Sequence, residues 1–409
     1  MSNAAAVIVG GGQSGAYAAM SLREAGFAGR IIVLGDEHHL PYDRPPLSKA
    51  MLTQETMPAP VRFHDPAKVA ERGIELRLGT RVEGIDRAAG RVHVAGGGTV
   101  PYDRLLLATG AAARRLTVPG AERVLTMRTL EDAAAIRGRL TQGVRVVCVG
   151  AGVIGLEVAA SAHARGAVVT VLEAGPVCMG RSLTPDFAAW IKGLHEAAGV
   201  RLRFGVAVRA ITGAGVECDD GVVPADLVIA GIGITRNTAL AEAAGLAVEN
   251  GIVVDEFGRT DDPAIFAAGD VAAFWHPFYG RRLRLEAWRH AMNHGIAVGK
   301  AMAGAGQAYD DIPWFWTDQH GVNLQMAGMV ELAASTVMRG TLGAASFAAF
   351  HLDGAGCVVA ATGVNAAREV RAAQALIPLR RPVDAAELAD PAGNLQNLVA
   401  AARRGSYAA

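Results

Sequence analysis

Short apolar runs alternate with glycine turns and amphipathic stretches from the start of the chain. Residues 5–9 (AAVIV) read as a buried strand. A glycine turn follows, then a helix from about Ser14 to Ala25 and a second strand at Ile31–Leu34. This is a βαβ unit. The pattern returns at Val144–Val149, Val153–Arg165 and Val168–Leu172, so the chain carries an internal architectural repeat. The strands are apolar on both faces, as parallel sheets covered by helices require.

Between and after the units the rhythm is shorter. Residues 74–107 and 200–230 predict short strands joined by turns. The prolines at Pro41–Pro46 and Pro58–Pro60 mark an ordered loop. From about Asp311 the texture changes. Trp314, Phe315 and Trp316 cluster, strands are expected near Leu324–Ala327, Thr336–Arg339, Ser346–Phe350 and Cys357–Ala360, and a helix near Ala366–Leu376. A separate α+β domain is expected there. Residues Ala401–Ala409 are expected to fray.

Composition narrows the class. The 409 residues suggest two or three domains. Hydrophobic residues make up 51% and charged residues 19%, which excludes a disordered chain. The 39 basic and 39 acidic residues cancel, so no global field draws nucleic acid or an anionic membrane. Cys148, Cys178, Cys218 and Cys357 form no CxxC pair and no zinc spacing, and read as scattered thiols in a reducing compartment. No metal is expected, and His290, His294 and His320 show no ligand spacing. The N-terminal sequence shows no leader pattern and no apolar run is long enough to span a bilayer, so a soluble cytoplasmic protein is expected.

The candidate chemistry lies in the glycine turns. Gly10-Gly11-Gly12-Gln13-Ser14-Gly15 is a G-x-G-x-x-G between strand and helix. Gly10 makes the tight turn, Gly12 lets a pyrophosphate approach the backbone, and Gly15 lets helix and strand pack closely. The helix N-terminus offers free N–H groups to phosphates. Gly150-Ala151-Gly152-Val153-Ile154-Gly155 repeats the motif, and Glu173 closes the next strand. A carboxylate there accepts from ribose hydroxyls and repels a 2′-phosphate, which predicts NAD over NADP. In the first unit Gly35 takes the corresponding place, followed by Asp36 and Glu37, so the two sites are not equivalent. FAD in the first and NAD in the second is the simplest reading. Glycines at Gly110, Gly231 and Gly233 end strands where the backbone passes close to a dinucleotide. The run Thr260–Asp270 ends in Gly-Asp, placing Asp270 to cap a helix or bind a polyol.

Together these motifs resemble the pyridine-nucleotide flavoprotein reductases of glutathione-reductase-like fold. Pro41-Tyr42-Asp43-Arg44-Pro45-Pro46-Leu47-Ser48-Lys49 and Trp314-Phe315-Trp316-Thr317-Asp318-Gln319 narrow the resemblance to the oxygenase-coupled NADH-dependent ferredoxin reductases, of the putidaredoxin, rhodocoxin and biphenyl-dioxygenase type. The resemblance implies an α/β chain of two Rossmann-like domains plus the C-terminal α+β domain. FAD would take residues 1–108 and 234–310, NAD residues 109–233, and the third domain residues 311–409. It places Ser14 after the FAD glycine turn, Asp36 by the adenosine ribose and Val82 at adenine. Arg44 and Lys49 would lie at the pyrophosphate and isoalloxazine edge, Arg128 on the flavin side, Asp270 at the ribityl chain, and Trp288 and Trp316 against the flavin. Lys49 and Glu157 match a Lys–Glu pair beside the reactive nitrogen. A helix-dipole role for Glu157 is the competing reading.

The resemblance also implies the activity. Hydride passes from NADH to FAD, and electrons leave singly to a [2Fe–2S] ferredoxin that feeds a terminal oxygenase. An NADH oxidase or rubredoxin reductase of the same fold is the alternative, and a partner-binding flavoprotein akin to apoptosis-inducing factor is a third. The missing cysteine pair argues against disulfide reduction. Arg281, Arg282, Arg284, Arg380 and Arg381 are candidates to meet an acidic ferredoxin, against an ordinary role as solvated arginines. Monomer and homodimer both stay open.

Overall fold

The computed structural model describes residues 4–404. Both repeats form. The first is β1 (Ala5–Val9), α1 (Gln13–Glu24) and β2 (Arg30–Leu34). The second is β3 (Arg145–Val149), α2 (Val153–Ala164) and β4 (Val168–Glu173). Three later elements carry site residues: α3 (Pro185–Ala198), α4 (Trp288–Met302) and β5 (Trp314–Gln319). Apolar strands joined through helices pair in parallel, because a crossover of that length returns the chain in the same direction.

The described chain divides into two compact units. The first collects the chain up to Asp43, Ala59–Ala112 and Thr235–Asp311. The second collects Arg44–Pro58, Ala113–Ile234 and the chain from Ile312 onward.

In the first unit a five-stranded parallel sheet runs Ile265–Ala267, Arg104–Leu107, β1, β2, Ile74–Arg77. Alternate residues of β1 serve two cores. Ala6 and Ile8 pack with Leu22 of α1 and Val298 of α4. Val7 and Val9 pack with Val92, Val100, Val254 and Phe274 of the strands on the other face. Helices α1 and α4 cross closely. A Cβ on Gly295 would stand 2.4 Å from the Ser14 carbonyl oxygen, and one on Gly299 2.5 Å from that of Ala18.

In the second unit the parallel sheet runs Arg201–Phe204, β4, β3, Leu227–Ala230, Leu125–Thr126. A separate antiparallel sheet holds β5, Val322–Gly328, Val358–Val364, Phe347–Leu352 and Ser335–Arg339, in that order. Helix Ala367–Leu376 covers it through Val370, Ala373 and Leu376.

Three expectations change. The aromatic cluster at Trp314–Trp316 lies within an edge strand, β5. Residues 401–404 end a helix, Leu395–Arg404, instead of fraying, because Leu395, Leu398, Val399 and Ala402 are buried; the remaining residues of that stretch lie outside those described. Asp270 sits inside a single 3-10 turn, Gly269–Val271, whose N-cap is Ala268, and not ahead of a helix start.

Candidate functional site

The first glycine turn has the geometry of a phosphate cradle. Gly10 adopts φ +120°, and a Cβ there would stand 2.1 Å from the Ala108 carbonyl oxygen. A Cβ on Gly15 would stand 2.0 Å from the Gly10 carbonyl oxygen. Both positions therefore exclude any side chain. Gly12 is different: its Cβ would meet nothing within 4 Å, so the backbone there is open to an approaching group. The Ser14 hydroxyl and the Gln13 amide nitrogen are buried without a protein partner at the start of α1. Buried polar atoms are normally satisfied, so this end of the helix suits a polar ligand. Asp36 is exposed just beyond β2. Beside it the Tyr42 hydroxyl donates to Glu37 at 2.6 Å. Val82 opens a strand and is buried, leaving only its backbone to meet a ligand. Trp288 starts α4 and its indole N–H donates to Asp43 at 2.6 Å. The Asp270 carbonyl accepts from Arg284 at 3.4 Å.

The second turn repeats the steric logic in the other unit. A Cβ on Gly155 would lie 2.0 Å from the Gly150 carbonyl oxygen, while Gly152 is open apart from the Gly231 oxygen at 3.8 Å. Val153 begins α2, and Ile154 beside it is 41% exposed despite being apolar. Gly233, at φ +97°, follows Gly231 beyond the strand end. Glu173 points back at the turn. Its carboxylate accepts from Ala151 N–H at 2.6 Å and Gly175 N–H at 2.7 Å. A negative charge is thus held against this glycine turn.

The third cluster is built on Glu157, which is 2% exposed. It lies one turn beyond the start of α2, and no acidic residue occupies that helix's first turn. The macrodipole fades within the first turn, so the helix-dipole reading fails. Three donors hold the carboxylate instead. Lys49 Nζ lies at 2.9 Å, the Thr317 hydroxyl donates at 2.6 Å, and the Ser48 hydroxyl donates to the same oxygen as Lys49. One turn along α2, the Ser161 hydroxyl donates to the Ser48 carbonyl at 2.6 Å. Residues i and i+4 share a helix face, so Glu157 and Ser161 together seat the Ser48–Lys49 backbone. Arg137 fixes the same segment by donating to the carbonyls of Met51, Leu52, Gln54 and Glu55. Lys49 and Glu157, paired on sequence grounds, are thus brought together; Ser48 and Thr317 were missed as their partners.

Of the remaining candidates, Arg44 donates to the Arg128 carbonyl, and Arg128 N–H donates to Asp132 at 2.8 Å. Trp316 stacks on Trp314, ring centroids 5.3 Å apart, and its indole donates to Asp318 at 3.0 Å. Both rings are half-buried on one face of β5, while Thr317 and Gln319 are buried on the other. Among the arginines proposed for a partner, Arg282 donates to Val254 and Ala273 carbonyls, Arg284 pairs with Glu286, and Arg381 donates to Ala402 and Arg403 carbonyls. Arg281 and Arg380 are exposed.

Two family descriptions match. Residues 4–295 match "Pyridine nucleotide-disulphide oxidoreductase", and residues 314–399 match "Reductase C-terminal". The chain is 41% identical over 400 residues to the ferredoxin–NAD(+) reductase component of an anthranilate 1,2-dioxygenase system from Burkholderia cepacia, covering 96% of this chain and 98% of that one.

The chain belongs to the pyridine nucleotide-disulphide oxidoreductases.

Solved structures agree on this family. The ferredoxin reductase of the CYP199A2 system from Rhodopseudomonas palustris matches with TM-score 0.93 at 37% identity, covering 97% of this chain and 99% of that one. The reductase chain of a covalent putidaredoxin reductase–putidaredoxin complex matches with TM-score 0.94 at 37% identity, covering 98% and 100%. Oxidoreductases of this family use FAD and NAD(H). The two glycine cradles and the buried, unpartnered groups at the start of α1 fit such dinucleotides. Despite the family's name, the four cysteines are all buried and unpaired.

Proposed function

We propose that this protein is an FAD-dependent NADH:ferredoxin reductase that delivers electrons to a [2Fe–2S] ferredoxin serving an oxygenase. One observation carries the reading: the match to the ferredoxin–NAD(+) reductase component at 41% identity, over 96% of this chain and 98% of that one. The oxidase and rubredoxin-reductase alternative has no comparable observation behind it.

Bound FAD would supply the chemistry that the side chains lack, a hydride in and single electrons out. The first cradle, with Gly10, Gly12, Ser14, Gly15, Asp36, Val82 and Asp270, would hold FAD, and Trp288 would border it. The second, with Gly150, Gly152, Val153, Ile154, Gly155 and Gly233, would hold NAD. Glu173 would take the ribose hydroxyls and reject a 2′-phosphate. The resemblance assigns Arg44, Arg128 and Trp316 to the flavin. Lys49 would set a positive charge beside the reacting rings, and Glu157 keeps that lysine aimed. The proposed division is 1–108 with 234–310, 109–233 and 311–409; the separate family match of residues 314–399 supports the last of these. Among the described residues no helix is long and apolar enough to cross a membrane.

The test is NADH-driven cytochrome c reduction by purified protein, with and without a [2Fe–2S] ferredoxin. Strong ferredoxin stimulation, far weaker with NADPH, supports the assignment. NADH consumption that ignores ferredoxin and yields peroxide or water overturns it.

A further inference from the structure

The tetrapeptide motif Thr317–His320 does more than close a strand. Thr317, Gln319 and His195 are buried, at 2% exposure or less, and joined in a continuous line. The Thr317 hydroxyl donates to Glu157, the Gln319 amide donates to Thr317 at 3.0 Å, His195 Nε2 meets Gln319 Oε1 at 2.7 Å, and His320 Nε2 meets His195 Nδ1 at 3.1 Å. His320 is half-buried and ends the line at the turn after β5, with the His163 ring of α2 6.0 Å away.

The direction of every bond follows from one charge. An ionised carboxylate only accepts, so Thr317 must donate to Glu157. The Thr317 oxygen is then free to accept from the Gln319 amide nitrogen. That orientation turns the Gln319 carbonyl oxygen toward His195, whose Nε2 must carry the hydrogen. A neutral imidazole has one donor and one acceptor, so His195 Nδ1 accepts and His320 Nε2 donates. Four donors thus point one way, inward to Glu157. Burial pushes the His195 imidazolium down to about 4, keeping the ring neutral as the line requires.

We propose that Thr317, Gln319 and His195 are positioning residues for hydride transfer. They act through Glu157, orienting its carboxylate so that Lys49 presents its charge in one place. Chains of hydrogen bonds in a dry interior polarise one another, so the line also strengthens the terminal bond to Glu157. The proposal rests on the flavoprotein reading for its catalytic consequence and not for its geometry.

Two measurements on the holoenzyme test it. Nitrogen-15 NMR of labelled histidines at pH 7.5 should show His195 neutral and Nε2-protonated, identified by the shift that His320→Gln imposes on it. An Nδ1-protonated or charged ring overturns the directional line. Stopped-flow bleaching of the flavin by NADH, without ferredoxin, gives the consequence. Thr317→Val should lower the limiting rate about tenfold while the NADH dissociation constant holds, as loss of about 1.4 kcal/mol of orientation requires. Thr317→Ser should restore the rate. Equal rates in all three proteins, or no rescue by serine, overturn the positioning role. Neither readout involves ferredoxin, so a failed ferredoxin assay and a failed positioning test are separate results.

Discussion

Lys49→Met tests the central ion pair directly. Glu157 is 2% exposed, and Lys49 keeps 22% of its side chain in water. Deleting the lysine leaves a buried carboxylate with two hydroxyl donors and no countercharge. Removing one partner of a buried pair costs about 3–5 kcal/mol. The surviving Ser48 and Thr317 donors and the partial hydration of Lys49 put the expected loss at the low end, about 3 kcal/mol. The double variant Lys49→Met/Glu157→Gln removes the stranded charge while glutamine still accepts from Thr317, so it should lose less than about 1.5 kcal/mol. Urea unfolding read by tryptophan fluorescence separates the two cases. With a slope near 3 kcal/mol/M, the single variant's midpoint should fall by about 1 M and the double's by less than half of that. If the single variant shifts by less than about 0.3 M, or the double is as unstable as the single, Lys49 is not what makes the buried carboxylate tolerable.

Further outcomes follow from other sites. Glu173→Ala removes the charge held at the second turn and frees the Ala151 and Gly175 N–H groups; the NADPH-to-NADH ratio of kcat/KM should rise about tenfold or more, and an unchanged ratio would locate the preference elsewhere. Gly15→Ala forces a methyl to within 2.0 Å of the Gly10 carbonyl oxygen, so the protein should purify colourless or fail to fold, whereas a yellow, stable Gly15→Ala protein would refute the cradle. Burial holds His195 and His351 at about 4 and His290 at about 3, below their unfolded value near 6.5. Between pH 6.5 and 4 the unfolded chain binds more protons, so stability, full above pH 6.5, should fall by about 1.4 kcal/mol per pH unit per histidine; a flat melting temperature from pH 7 to 4.5 would contradict this. Burial also pushes the Cys148 and Cys178 thiols up to about 12, so Ellman's reagent should label neither in the native protein at pH 8 and both after denaturation.

The glycine turns were legible because their requirement is local. Gly10 turns the chain at φ +120°, and a Cβ on Gly15 would stand 2.0 Å from the Gly10 carbonyl oxygen, so the spacing follows from one strand, one turn and one helix. Glu173 was legible for the same reason, since it closes the strand beside its own turn. The Gly295–Gly299 pair escaped notice although its four-residue spacing marks a helix face that another helix can approach closely; nothing local named α1 as the neighbour. The match of Lys49 and Glu157 to a Lys–Glu pair is visible in the sequence, but the hydroxyls of Ser48 and Thr317 that hold Glu157 lie 109 and 160 positions from it.

The amino-acid sequence by itself determined the paired βαβ units, the two dinucleotide turns, their inequivalence and the family, because each depends on residues within a few turns of one another. Tertiary structure alone decided which hydroxyls hold Glu157 beside Lys49. Ser48, Thr317, Gln319, His195 and His320 are ordinary polar residues on three separate segments, and their line of hydrogen bonds exists only once β5, α2 and α3 are packed. A hydrogen bond demands direction and a separation of about 3 Å, and neither can be read from residues more than a hundred positions apart in the chain.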